Sequence, residues 1–192
     1  MATTEIAARK LGKITPRVDV RTLTLSRYID RAQLPDPPAN IDLTDHVADW
    51  PMYANDRIGD CTTAAAAHMI EAWTGEAQGA AVEVTEAAVL AAFDRVKIVD
   101  PRTGEEGAVE LDVLRDWRQH GVGRHRIGAF ARVSTSDHRL VQAAAWIFGG
   151  LYIGLQLPLS AQYQETWDWN GFALGRRPAR VVGRARGRRG AL

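Results

Sequence analysis

The first forty residues hold no sustained apolar run and carry Pro16, Pro35, Pro37 and Pro38. Proline fixes φ and removes a backbone donor, so residues 1–40 predict an extended N-terminal arm laid along the surface of the rest. Ile41 to Tyr53 is a loop-like lead-in containing Trp50-Pro51. A helix is predicted from Cys61 to Trp73, with Asp60 as N-cap and its end near Gly75. The run Ala64-Ala65-Ala66-Ala67 gives it high propensity and the slim profile of a central helix. A second helix fits Glu86 to Val96 behind Thr85, and a turn-rich loop follows through Pro101, Gly104 and Gly107. A third fits Glu110 to His120, with Leu111, Leu114, Trp117 and Arg118 on one face and Gly121 as a left-handed C-terminal residue.

Loose alternation over Ile127–Val133 predicts a strand. Ser136 is the expected cap of a fourth helix that runs through Phe148 and breaks at Gly149-Gly150. Leu151 to Leu157 is largely apolar and predicts a central strand, ended by Pro158. Helices first and strands later make an α+β layout.

At 192 residues, 46% hydrophobic and 24% charged, the chain has the length and composition of one globular domain. A single cysteine excludes an intramolecular disulfide and a multi-cysteine zinc site. No apolar run approaches the roughly 20 residues of a membrane span, and Met1–Lys13 lacks the apolar centre of a signal peptide. A cytoplasmic protein with no membrane partner is the expectation. The net charge of +1 hides an asymmetry. Seven arginines and no acid lie between Arg176 and Arg189, while the remaining chain has an excess of acid. That segment is either a solvated, disordered end or a phosphate-binding tail for nucleic acid.

Chemistry concentrates at Cys61. The loop Asn55-Asp56-Arg57-Ile58-Gly59-Asp60 runs straight into the helix whose first residue is the thiol. Free backbone N–H groups and the positive end of the helix dipole favour a thiolate there. Against this stand a cysteine used only as a small apolar residue and Asp60, whose charge raises the thiol pKa. Of the histidines, His68 is two turns along the same helix, roughly 10.5 Å of rise away, and fits a packed residue. His120 and His125 fit surface positions, His138 an exposed first helical turn, and His46 precedes the cysteine. None is assigned as a base. The six tryptophans, Trp167 and Trp169 among them, fit core or cleft lining.

These residues resemble the papain-like cysteine peptidases. In that family a Gln six residues before the nucleophile helps form the oxyanion hole, and Asn55 stands six before Cys61. Asp49-Trp50-Pro51 is similar to the segment preceding that residue. Leu140–Ala144, followed by Gly149-Gly150 and Leu151–Leu155, is similar to the helix, glycine turn and strand before the family's histidine, and Gly121-Val122 also fits. Thr62 replaces the aromatic residue common after the cysteine. The resemblance spans about residues 44–170. It implies a central helix carrying the cysteine packed against a later antiparallel sheet, a domain over 41–171, and a tail over 172–192.

The implied activity is thiol-dependent hydrolysis of peptide or amide bonds in a peptide or protein substrate, without a cofactor. Cys61 would be the nucleophile and Asn55 the oxyanion donor, with a histidine as base. The family's histidine follows the central strand, yet no histidine follows His138. The expectation is therefore an incomplete sheet, a truncated or frame-altered C-terminus and impaired catalysis. The alternatives are an inactive papain-fold binding or structural module and a nucleic-acid-associated protein using Arg176–Arg189.

Overall fold

A computed structural model describes residues 12–155. Four helices and two small sheets make up a mixed α and β fold: β1 (Leu23–Thr24), α1 (Cys61–Gln78), α2 (Glu86–Val96), β2 (Ile98–Val99), β3 (Glu106–Gly107), α3 (Glu110–Gln119), β4 (Ala131–Arg132) and α4 (His138–Ile147). α1 is the middle of the main core. Its alanines Ala64, Ala66 and Ala67 are buried with Ile70 against Val84, Val89 and Ala92, and against Trp117 and Val122. Small side chains let α2 and α3 close on α1, and Trp73 stacks on Trp117 with ring centroids 5.7 Å apart. Among the described residues no helix is long and apolar enough to cross a membrane.

α2 forms between the expected bounds, and the Thr85 hydroxyl accepts from the Ala88 N–H at 3.2 Å. α3 ends one residue short of His120, with Gly121 left-handed at φ 91°. Arg118 leaves the expected apolar face for solvent, where its Nε donates to the Gly128 carbonyl, and Val113 takes a core position instead. α1 is a turn longer than expected. Gly75 does not end it but is buried against His46, 3.1 Å from where a Cβ would sit, and Gly79 closes it at φ 72°. α4 is capped by Asp137, which accepts from the Leu140 N–H at 3.2 Å, while Ser136 bonds Ser134.

The strands depart most from expectation. Of Ile127–Val133 only Ala131–Arg132 pairs, in parallel with Leu23–Thr24 of the arm. Residues 151–155 form no strand: Leu151 and Tyr152 are half-buried, while Ile153 and Leu155 are exposed. Residues 156 and 157 of that expected strand, and Arg176–Arg189, lie outside the described residues. The antiparallel pairing described is the short β2–β3 ribbon, so the expected antiparallel sheet facing α1 is not formed among the described residues. Leu151 and Tyr152 pack against the core clusters without pairing to a strand among the described residues.

The arm is held by charge and by backbone contact. Arg17 pairs with Asp112 at 2.8 Å, Arg31 with Asp137 at 2.7 Å, and Asp19 with Arg115. Leu25 is buried with Leu140 and Ala144. At its start the arm threads a stack of three glycines. A Cβ on Gly12 would strike Gly59, one on Gly59 would strike the Glu106 carbonyl, and one on Gly107 would strike the Gly12 carbonyl. Reciprocal bonds, Ile14 N–H to Ala108 O at 3.0 Å and Ala108 N–H to Gly12 O at 2.9 Å, lock this layer directly below the Cys61 loop.

Candidate functional site

The loop before α1 is built on an unusual turn. Tyr53 and Ala54 are both left-handed, at φ 51° and 67°, and both are buried. That conformation costs an L-residue about 1–2 kcal/mol, so packing must hold it. The Tyr53 hydroxyl donates to the buried Glu71 carboxylate on α1, and the Ala54 carbonyl accepts from the N–H groups of Arg57 and Ile58. Asn55 follows, half-buried, its N–H bonded to the Met52 carbonyl at 2.9 Å and its Oδ1 buried without a partner among the described residues.

Cys61 is the first residue of α1 and is half-buried. Burial pushes its thiol pKa up. A backbone hydrogen bond from Gly12 opposes this, but Asp60 and, less strongly, Glu110 add to it. The expected thiolate is therefore not favoured: desolvation and two nearby carboxyl groups outweigh the helix start. Glu110, at the beginning of α3, is itself raised by burial, with Lys13 working the other way at 3.8 Å. The Tyr152 hydroxyl donates to the Thr62 carbonyl at 2.8 Å and closes the far side. Its own ionisation lies well above the ordinary phenol range, from burial first and then from Glu110 and Cys61.

Asp60 stands at the expected N-cap position but does not cap through its side chain. Its φ of −94° and ψ of 13° are not those of an extended cap residue, and its side chain makes no cap bond. Its carbonyl instead accepts from the Thr63 N–H at 2.8 Å, the Ala64 N–H at 3.0 Å and the Thr63 hydroxyl at 3.0 Å. The carboxyl is fully buried, and neither oxygen has a partner among the described residues. Burial pushes its pKa up to about 7; Glu86 and Asp56 reinforce this, while its own amide and Arg57 oppose it.

The histidines lie apart from the thiol. His68 Nε2 is 2.9 Å from the Pro51 carbonyl and its ring lies between Trp50 and Tyr53. His120 Nδ1 bonds Asp116 at 2.7 Å. His46 and His138 are exposed, and His125 shares backbone bonds with Val122. Among the described residues no hydrogen bond joins any histidine to Cys61, none joins Asn55 to Cys61, and no cluster of three His, Cys, Asp or Glu is arranged for a metal. An open pocket of about 450 Å³ is lined by Met52, Tyr53 and Arg57 and by Glu83, Val84 and Glu86; neither Asn55 nor Cys61 is among its lining residues.

Sequence reasoning missed Glu71, Glu110 and Tyr152. Glu71 had a signal: it is the acid on the alanine face of α1, in line with Ala64 and Ala67. Glu110 and Tyr152 come from remote elements and had none. No family model, curated protein or solved structure matches the chain.

Proposed function

We propose that the chain is a papain-like, thiol-dependent acyl-transfer protein in which Cys61 is the nucleophile and the Asn55 amide the oxyanion donor. The observation that carries this reading is the setting of Cys61: the thiol opens the central helix, immediately behind a turn whose conformation Tyr53 and Glu71 hold fixed. In the first half-reaction the Cys61 sulfur bonds the carbonyl carbon of a peptide or ester. The carbonyl oxygen takes negative charge, and the leaving group departs with the thiol proton. Water then releases the acid and restores the thiol. The raised thiol pKa makes the attacking anion scarce at neutral pH, and no histidine stands beside the sulfur to supply it. The 192 residues therefore support acylation by activated donors, with amides turned over poorly. The same raised thiol favours a second reading, a binding module on this scaffold without turnover.

The test is acylation of the full chain by a p-nitrophenyl ester, followed by intact mass and nitrophenolate release. One acyl group on Cys61 is expected, faster as pH rises, abolished by Cys61→Ser and slowed about 100-fold by Asn55→Ala, the effect of losing one oxyanion donor. Acylation at an unchanged rate in Asn55→Ala refutes the assignment. Absence of any acyl-enzyme leaves the binding module as the better account.

A further inference from the structure

From Arg118 to Ser136 the chain carries Arg118, Arg124, Arg126 and Arg132 and no acidic residue. In the structure these arginines lie at the end of α3, around the 122–125 loop and on β4. The Val122 and His125 backbones bond to each other at 3.0 and 3.1 Å, making a tight loop with Gly123 and Arg124 at its tip. Arg126 leaves the loop with its Cγ against Gly121. Arg118 reaches across to the Gly128 carbonyl at 3.0 Å, and Arg132 follows on β4, its Nε bonded to Thr24 at 3.1 Å. All four side chains are exposed.

Most arginines elsewhere are neutralised: Arg17 lies on Asp112, Arg95 on Asp116, Arg115 on Asp19 and Arg139 on Asp36, with Arg27 an exception among the described residues. Arg118, Arg124, Arg126 and Arg132 have no carboxylate within ion-pair distance among the described residues. A guanidinium left without an internal counterion keeps its terminal N–H donors for an outside oxyanion even where its Nε is engaged, as in Arg118 and Arg132. We propose that this face binds the phosphate backbone of a nucleic acid, separately from Cys61 and from the arginines beyond 175.

The surroundings favour nucleic acid over a lipid surface. Membrane docking needs apolar side chains inserted beside the cations. The exposed large apolar residues lie elsewhere, at positions such as Val20, Met52 and Phe148, and none lies between 118 and 132. The exposed non-arginine positions in that stretch are small or polar, including Gln119, Gly123, Gly128, Ala129 and Ala131, which allow a sugar–phosphate chain to lie close.

The experiment uses full-length protein whose seven arginines from Arg176 to Arg189 are changed to glutamine, so that the tail contributes no phosphate contact. Anisotropy of a labelled oligothymidylate of roughly 20 nucleotides should give a log K against log salt slope of about −3, the value for four single-strand phosphate contacts. Affinity should then fall about 50-fold between roughly 50 and 200 mM salt. Adding Arg118→Gln, Arg124→Gln, Arg126→Gln and Arg132→Gln should remove that binding. Glutamine keeps an N–H donor for the Gly128 and Thr24 acceptors. Arg124→Gln alone, at the loop tip, should lower the slope by about 0.7 without touching the fold. The proposal is overturned if the tail-neutralised protein does not bind, if the fourfold change leaves slope and affinity as they were, or if phosphatidylserine vesicles hold this face more tightly than the oligonucleotide.

Discussion

Asp60→Asn isolates the most unusual electrostatic feature of the site. The Asp60 carboxyl is fully buried without a hydrogen-bond partner among the described residues, and its pKa is pushed up from 3.8 to about 7. In the unfolded chain the group ionises near 3.8, so between that value and about 7 the folded state holds the extra proton. Stability therefore falls as pH rises through this window and levels off above it. At 1.36 kcal/mol per pH unit the full loss is about 4 kcal/mol, a ceiling that water reaching the group would reduce. Asparagine matches the neutral acid in size and cannot ionise. The mutant should thus lack the decline, and any constant offset from its amide cancels when two pH values are compared. Urea unfolding of both proteins at pH 4 and pH 8 measures the difference. For a chain of this length about 4 kcal/mol is about 10 °C in Tm. Removing the charge also lowers the thiol pKa, so Cys61 should alkylate faster in the mutant at pH 8. Parallel stability–pH curves for the two proteins would refute the reasoning and mean that Asp60 is ionised and solvated in the folded state.

Two further outcomes test the surrounding structure. Tyr53→Phe removes the donor to Glu71, whose second oxygen already lacks a partner among the described residues, and should cost about 1–3 kcal/mol in urea unfolding; wild-type stability would show that the left-handed turn does not depend on this bond. Gly59→Ala drives a methyl group into the Glu106 carbonyl and should cost about 3 kcal/mol or more, as overpacking against rigid backbone does. Hydrogen exchange at the Ile14 and Ala108 amides, which close the glycine layer, should accelerate with it. Retained protection there would mean that the layer relaxes around the methyl.

The helices were legible because their signals are local. Thr85 before Glu86 and Gly121 after the Trp117 helix act within one turn of themselves, and α2 and α3 follow them closely. α1 overran its expected end because Gly75 serves a contact with His46, and a glycine used for packing looks the same in sequence as one used for stopping. The strands were the poorest expectation. Apolar alternation reports which side chains are covered, whereas pairing needs a second backbone. The partner of Ala131 is Leu23, in the arm, which no local pattern announces. At the site, the helix-start position of Cys61 was legible from Asp60-Cys61 and the alanines behind it. The raised pKa of the thiol was not, because burial, Gly12 and Glu110 act on it from distant parts of the chain.

The glycine layer at positions 12, 59 and 107 also constrains how this sequence can vary. With the arm in place, each position excludes a side chain because of another in the set, so the three behave as one inherited unit spread across three segments. Among descendants, a lineage that lost the arm would release position 107 from glycine, while the Glu106 carbonyl would still hold position 59. A lineage that kept it would tolerate change at none of the three, however freely the neighbouring loops drift. Glycine at position 107 would therefore record the presence of the arm, even in chains whose arms share no other recognisable residue.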